Sequence, residues 1–320
     1  MIEVCVVGEI NLDLVLYGLP KDLVLDREHL ASNMAFTLGS SSAIFAHNLC
    51  TLGTQVGFIS KTGGDPLGKI AAERLSTAGV DISRMKQGVE KTFTGLTVVL
   101  PYPQHRYILT YPGTMFEMQY SDVDVNYLRT ARHFHLSSFF LHRALRPQIL
   151  HLFRQAKEAG LTTSLDTNDD PENQWAQDLL EVLKYVDVFL PNDREAKKIA
   201  RTDDLSQALN VLAGLAKVVV VKRGSATAIC RKGDEQWSLT PPTVKMVDDI
   251  GAGDTFDAGF IHLYLLGAKL EDCLAFANIA AAYSVTKEGG TEAFRDRSGL
   301  FSFIRQQWNL MGRGPLPVKG

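Results

Sequence analysis

The spacing of apolar positions changes repeatedly along this chain, and each change predicts a new element. Val4 to Val7 is a short unbroken apolar run, the pattern of a strand buried on both faces, and Val56 to Ile59 repeats it. His133–Ser138, Thr162–Leu165, Val186–Leu190 and Val218–Val221 are further strand candidates. Helical spacing separates them over Pro147–Ala159, Gln174–Leu183, Arg194–Ala200 and Leu205–Ala216. Such alternation predicts a mainly parallel sheet with helices on both faces. Ligands of such sheets bind just past the carboxyl ends of the strands, so residues there are the first candidates for chemistry.

Other stretches break or extend this rhythm. Phe93–Leu100 and Arg106–Tyr111 are β-rich and flank Pro101-Tyr102-Pro103-Gln104-His105, which predicts a hairpin. A hairpin does not easily join a parallel sheet, so it is expected to stand apart, with His105 and Arg106 in a solvated turn. Gly39-Ser40-Ser41-Ser42-Ala43-Ile44 opens a helix that runs to about Leu52, with Ser40 or Ser41 as N-cap and Gly53 as its stop. Gly63-Gly64-Asp65-Pro66-Leu67-Gly68 leads into a helix ending near Gly79, and Pro66 suits its first turn. Leu270 to Thr286 is a helix of small residues that allow close packing, with Asn278 as its polar exception.

The stretch with the most chemistry is Val247-Asp248-Asp249-Ile250-Gly251-Ala252-Gly253-Asp254, followed by Phe256, Phe260, Leu263 and Gly267 on roughly one helical face. Gly251, Ala252 and Gly253 therefore fall at a helix N-terminus. Backbone N–H groups there lack partners within the helix, and the dipole favours an anion. Asp254 would sit beside that anion, kept ionised by the dipole and able to take a proton from a hydroxyl. The same residues also suit a tight turn with the aspartate capping a helix. Nearer the start, Asn11 and Asp13 flank Leu12 and share one side of an extended segment, where an aspartate can hold two hydroxyls of a polyol. A surface turn is the alternative for Asp13.

Composition narrows the field. With 320 residues, 45% of them hydrophobic, the chain can build one large α/β domain or two smaller ones. A net charge of -3 without any basic run excludes nucleic acid as an expected partner. Cys5, Cys50, Cys230 and Cys273 are far apart, so they read as buried thiols in a reducing compartment. The first residues read as a strand, not as a signal peptide, and no apolar run approaches a membrane span. A cytoplasmic protein is the expectation. Gly8 stands alone where a dinucleotide fold would carry G-x-G-x-x-G, which removes the main support for hydride transfer. Met311-Gly312-Arg313-Gly314-Pro315 reads as a frayed end.

The stretch from Asp248 to Gly259 resembles the C-terminal signature of the ribokinase-like (PfkB) family of sugar and nucleoside kinases. The resemblance extends over roughly residues 1 to 295. It implies an α/β, ribokinase-like three-layer sandwich with a mainly parallel central sheet and a small β lid. One kinase domain would span 1–310, with lid segments near 14–19 and 92–116 and a tail at 311–320. It implies Asp254 as catalytic base and the Gly251, Ala252 and Gly253 amides as anion hole. Substrate contacts are implied at Asn11, Asp13, Gly39, Ser40, Ser41 and Asn168. ATP contacts are implied at Asn192, Lys222, Gly224 and Asn278, with Glu195 holding Mg²⁺ through water. Asn192 and Glu195 also suit a helix-capping turn, and Lys222 or Arg223 also suits an exposed position. The family's homodimer through the lid is implied as well, and Gly289-Gly290 fits the tail of a monovalent-cation loop.

The chain departs from the family pattern at Ser40, Ile44, Thr114, Asp170, Thr227, Asp249 and Ile250. Asp170 stands where an arginine often assists the substrate, which argues against an acidic sugar. The resulting expectation is ATP- and Mg²⁺-dependent phosphorylation of a hydroxymethyl group of a small sugar. A nucleoside kinase and a catalytically weak sugar- or nucleotide-binding regulatory relative are the alternatives.

Overall fold

Val4 and Val6 enter one hydrophobic core while Cys5 and Val7 enter another, which is why this stretch is apolar at every position. Val218 and Val220 repeat the division against Val219 and Val221. The structure, a computed structural model, describes residues 2–88, 92–102, 105–175 and 177–316. Its chain opens with β1 (Val4–Val7), β2 (Asn11–Tyr17), β3 (Asn33–Leu38), α1 (Ser41–Thr51), β4 (Val56–Ile59), β5 (Lys61–Thr62), α2 (Pro66–Thr77) and β6 (Lys86–Gln87). β7 (Gly95–Pro101), β8 (Arg106–Tyr111) and α3 (Val125–Leu128) follow. Strand and helix then alternate through β9 (His133–Leu136), α4 (Arg146–Glu158), β10 (Thr162–Leu165), α5 (Asp178–Leu183), β11 (Val188–Phe189), α6 (Asp193–Ala200), α7 (Leu205–Ala213) and β12 (Val218–Val221). The hairpin β13 (Ala228–Lys232) and β14 (Glu235–Leu239) precedes α8 (Ala252–Leu265), α9 (Leu270–Ser284) and α10 (Arg297–Leu310).

The central sheet has eight strands in the order β14-β13-β12-β11-β10-β9-β1-β4. Pairings from β4 to β12 are parallel, and β13 and β14 add an antiparallel edge. One face carries α1, α8, α9 and α10, and the other carries α4, α5, α6 and α7. Three layers result, as expected. The small residues of α9 serve packing: a Cβ added to Gly259 of α8 would lie 3.0 Å from Ala277 Cα and Ala280 Cβ.

A second sheet, β3-β2-β7-β8, stands apart from the first. The expected hairpin is there, with Leu96 opposite Tyr111 and Pro101 opposite Arg106. Pro103 and Gln104 of its turn lie outside the described residues. β2 starts at Asn11, earlier than the expected 14–19 segment, so Asn11 and Asp13 belong to this second sheet. One of its faces carries Asn11, Asp13, Thr97 and Thr110; the other carries Leu14, Leu16, Val98, Leu109, Tyr107 and Met34.

Residues 311–315, expected to fray, are docked. Trp308 Nε1 donates to Gly314 O at 2.7 Å, and Arg313 pairs with Glu271 at 3.1 Å and with Asp272. An arginine with partners on α9 has a folded position that composition alone does not show.

Candidate active site

The parallel strands deliver Glu9, Ser138, Asp166, Asn192 and Lys222 just past their carboxyl ends. Gly251 caps the following catalytic-candidate helix α8 in the left-handed region, at φ 69°. A Cβ there would lie 2.7 Å from Gly290 Cα and 3.1 Å from Ile44, so only glycine fits. Ile44 is buried and packs beneath the turn, against Gly251 and Gly290. Asp254 lies in the first turn of α8, beside the N-terminal amides.

Asp254 is 8% exposed. The helix dipole alone predicts an ionised carboxylate, but burial and the Asp166 charge push its pKa up to about 7 against the pull of Lys222 and the Ser41 hydroxyl. That places it where a general base can both accept and release a proton. Asp13 is also raised to about 7, first by burial and then by the charges of Asp254 and Asp248. Asn11 and Asp13 do share one side: a side chain at Gly39 would collide with Oδ1 of both. Asn11 Nδ2 donates to Thr97 Oγ1 at 2.8 Å, while Asn11 Oδ1 is buried with no partner among the described residues.

Under the Gly39–Ser42 turn lies a residue that the sequence did not point to. Glu9 is 2% exposed. Its carboxylate accepts from Ser42 Oγ at 2.6 Å, Ser42 N at 3.3 Å and Ser138 Oγ at 2.7 Å, with His142 Nε2 at 3.3 Å. Burial would raise its pKa; the His142 imidazole and the two hydroxyls outweigh burial and bring it down to about 2. Glu9 O accepts from Ser40 Oγ at 2.6 Å, and Ser40 is the N-cap of α1. Asn168 Nδ2 joins by donating to Ser138 Oγ at 3.0 Å. One residue therefore ties the Ser40–Ser42 turn to Ser138 and Asn168. An acidic residue following an apolar strand was the only local signal.

Lys222 is enclosed instead of exposed. Its ammonium donates to Asp166 at 2.8 Å and Asp257 at 2.9 Å, and those two carboxylates hold it charged despite burial. A Cβ on Gly253 would lie 3.7 Å from Lys222 Nζ, which puts this cation beside the turn of α8. Arg223 pairs with Asp193 at 3.0 Å. Asn192 and Glu195 form the capping box of α6, with Asn192 Oδ1 accepting from Glu195 N at 2.9 Å. Burial, then Asp166, raises the Glu195 pKa to about 7. A carboxylate so placed gains from a nearby cation. Gly224 takes a left-handed turn at φ 56°. Asn278 is buried on α9 and donates to Leu239 O at 3.0 Å, so its amide nitrogen is already engaged. Asp170, noted for replacing an arginine, instead accepts from the backbone of Glu172, Gln174 and Trp175 and holds its own loop.

Arg106, expected in a solvated turn, reaches Asp249 at 2.5 Å. Tyr17 OH donates to Asp248 at 2.6 Å, and Asp248 also accepts from Ile250 N and Gly289 N. The second sheet thus touches the loop that leads into α8 at two points. Among the described residues no cluster of three or more His, Cys, Asp or Glu side chains could hold a metal, and no helix is long and apolar enough to cross a membrane.

A helix end of small residues, a buried carboxylate near neutrality and a buried amide oxygen without a partner among the described residues suit a small-molecule phosphotransferase. Residues 1–297 match the pfkB family carbohydrate kinase model, and the chain belongs to that family. It is similar to an uncharacterized sugar kinase of Archaeoglobus fulgidus, 29% identical over 76% of this chain and 96% of the relative. It is likewise 29% identical to an ATP-dependent ribose-1-phosphate kinase of Halopiger xanaduensis, over 92% of this chain and 95% of that one. A solved structure from E. coli, assigned as a ribokinase II in complex with ATP and Mg²⁺, superposes with TM-score 0.83 at 25% identity. That superposition covers 96% of this chain and all of the other. The chain is an ATP-dependent carbohydrate kinase with the ribokinase-like fold.

Proposed function

We propose that this kinase phosphorylates a hydroxymethyl group of a small neutral sugar, with Asp254 removing the hydroxyl proton. The observation that carries the reading is Asp254 itself: a buried carboxylate, poised near neutrality, in the first turn of α8 beside the Gly253 amide, while Ala252 N–H donates to Asp249 O at 3.2 Å. Amides of Gly251 and Gly253 stabilise the charge of the transferring group, joined by Ala252 as its N–H turns from Asp249 O. Asp13 and Asn11 Oδ1 accept sugar hydroxyls over the space that Gly39 leaves open. Ser40, Ser41 and Asn168 complete that contact surface, and Glu9 keeps it in place. The crowding of Glu9, Asp13, Asp166 and Asp254 disfavours an acidic acceptor.

Mg²⁺, when bound with ATP, neutralises phosphate charge and keeps several of its own waters. Glu195 and Asn192 are suited to hold such a hydrated ion. Lys222 supplies positive charge beside the turn, and Gly224 and Asn278 flank the nucleotide. The second sheet acts as a lid that excludes water. Its apolar outer face, with Tyr107, Leu109 and Met34 all more than half exposed, suits a homodimer. A monovalent cation between the Asp249–Ile250 backbone and Gly289-Gly290 completes the reading, and K⁺ against Na⁺ at fixed ionic strength tests it.

The first test is ATP consumption with Mg²⁺ against sugars, sugar acids, sugar phosphates and nucleosides. Turnover on a neutral sugar is expected. Turnover confined to nucleosides, or ligand binding without any turnover, would overturn the reading in favour of a nucleoside kinase or a regulatory binder.

A further inference from the structure

Away from the Gly251–Asp254 turn, a cavity of about 570 Å³ lies between α1, α2 and the segment entering α10. Arg74, Arg295 and Arg297 line it, opposed by one carboxylate, Glu73. Arg74 and Arg295 both lean on Glu292, at 2.5 and 2.9 Å, whereas Arg297 makes no ion pair among the described residues. His47 also lines the cavity although it is only 6% exposed. Its Nδ1 lies 2.8 Å from Asn48 Oδ1. Asn48 Nδ2 is committed as a donor to Thr255 Oγ1 and Gly290 O, so Oδ1 is the acceptor and His47 Nδ1 carries the proton. His47 Nε2 is left with a lone pair and no hydrogen-bond partner among the described residues, in a side chain that lines the cavity. Burial holds the ring neutral, with a pKa near 4.

Guanidinium groups favour phosphate oxygens, which they bind in pairs, and a neutral imidazole nitrogen accepts from a hydroxyl. The volume falls in the range of small-molecule sites, roughly 300–1,000 Å³. We propose that this cavity binds a small phosphorylated, hydroxyl-bearing metabolite, at a site separate from the kinase centre. Its phosphate takes Arg297 and competes with Glu292 for Arg74 and Arg295. Glu292 also accepts from Thr37 at 3.0 Å, and Arg74 donates to Phe36 O at 2.9 Å, so the cavity adjoins the root of β3.

Calorimetric titration of the full chain with fructose 1,6-bisphosphate as probe tests this, with Mg²⁺ and a non-hydrolysable ATP analogue filling the nucleotide site. Saturable binding is expected, weakened about tenfold or more in the double variant Arg295→Ala, Arg297→Ala, since each charged hydrogen bond contributes about that much. Both arginines are exposed, so the variant should fold. Glu292→Gln should bind more tightly than wild type, because the competing charge is gone. No binding to wild type, unchanged binding in the double variant, or weaker binding to Glu292→Gln would overturn the proposal.

Discussion

Two carboxylates on either side of the Ser40–Ser42 turn are both buried and differently served. Glu9 receives two hydroxyls, a backbone amide and an imidazole, and its pKa falls to about 2. Asp254 has the Ser41 hydroxyl and the distant help of Lys222 against burial and Asp166, and its pKa rises to about 7. Burial alone therefore does not decide the state of a carboxylate; the donors aimed at it do. A residue that fixes a loop is fully satisfied. Asp254, the proposed base, is left short of donors, and the fold carries that cost.

The widest separation between the two should come from substitution. Asp254→Asn should lower turnover by about 10²–10⁴-fold, the usual contribution of a general base, while ATP affinity measured by titration stays near wild type. Glu9→Ala should instead act on folding: it strands His142 and two buried hydroxyls, and about 3–5 kcal/mol of stability is expected to be lost in urea unfolding. Near-normal stability in that variant would mean that Glu9 does not hold the loop. Asp13→Ala lies between them. It should cut kcat/KM by about tenfold or more through the sugar KM, the size of one charged hydrogen bond, with unfolding little changed. Arg106→Ala should be mildest. Its pair with Asp249 is exposed, so stability should change by less than about 1 kcal/mol, and a modest rise in sugar KM would show that the pair steadies the second sheet over the site.

What could be read from the sequence follows the same contrast between local and distant causes. The parallel strands were legible because two-sided burial makes them apolar at every position, as at Val218–Val221. Ends were less clear: Val186–Leu190 shortens to Val188–Phe189, since apolar residues continue past the hydrogen-bonded ladder. β3 escaped notice because its first residues, Asn33 and Met34, are exposed and give no alternation. β13, β14 and α10 were likewise missed; the hairpin is an edge whose outer strand, β14, has no buried residue. In the candidate site, Gly251–Asp254 and Asn11–Asp13 bring their candidate groups together within a few residues of sequence. Glu9 does not. Its partners Ser42 and Ser138 lie 33 and 129 positions away, and only the fold brings them together. Arg106 and Asp249, 143 positions apart, escaped for the same reason.

The sharpest test of the contrast is unfolding free energy against pH, for wild type and Asp254→Asn. Asp254 is raised from an ordinary 3.8 to about 7 in the folded state. Between those values the native protein binds more protons than the unfolded chain, so stability falls as pH rises through that window. Glu9, lowered from 4.5 to about 2, contributes a loss only as pH falls below 4.5. Buried His47, His133, His135 and His262, all lowered from 6.5, contribute in the opposite sense and equally in both proteins, so the difference isolates Asp254: from pH 5 to pH 8 wild type should lose stability relative to Asp254→Asn, which should be the more stable protein at pH 8. Parallel curves for the two proteins would contradict a poised Asp254.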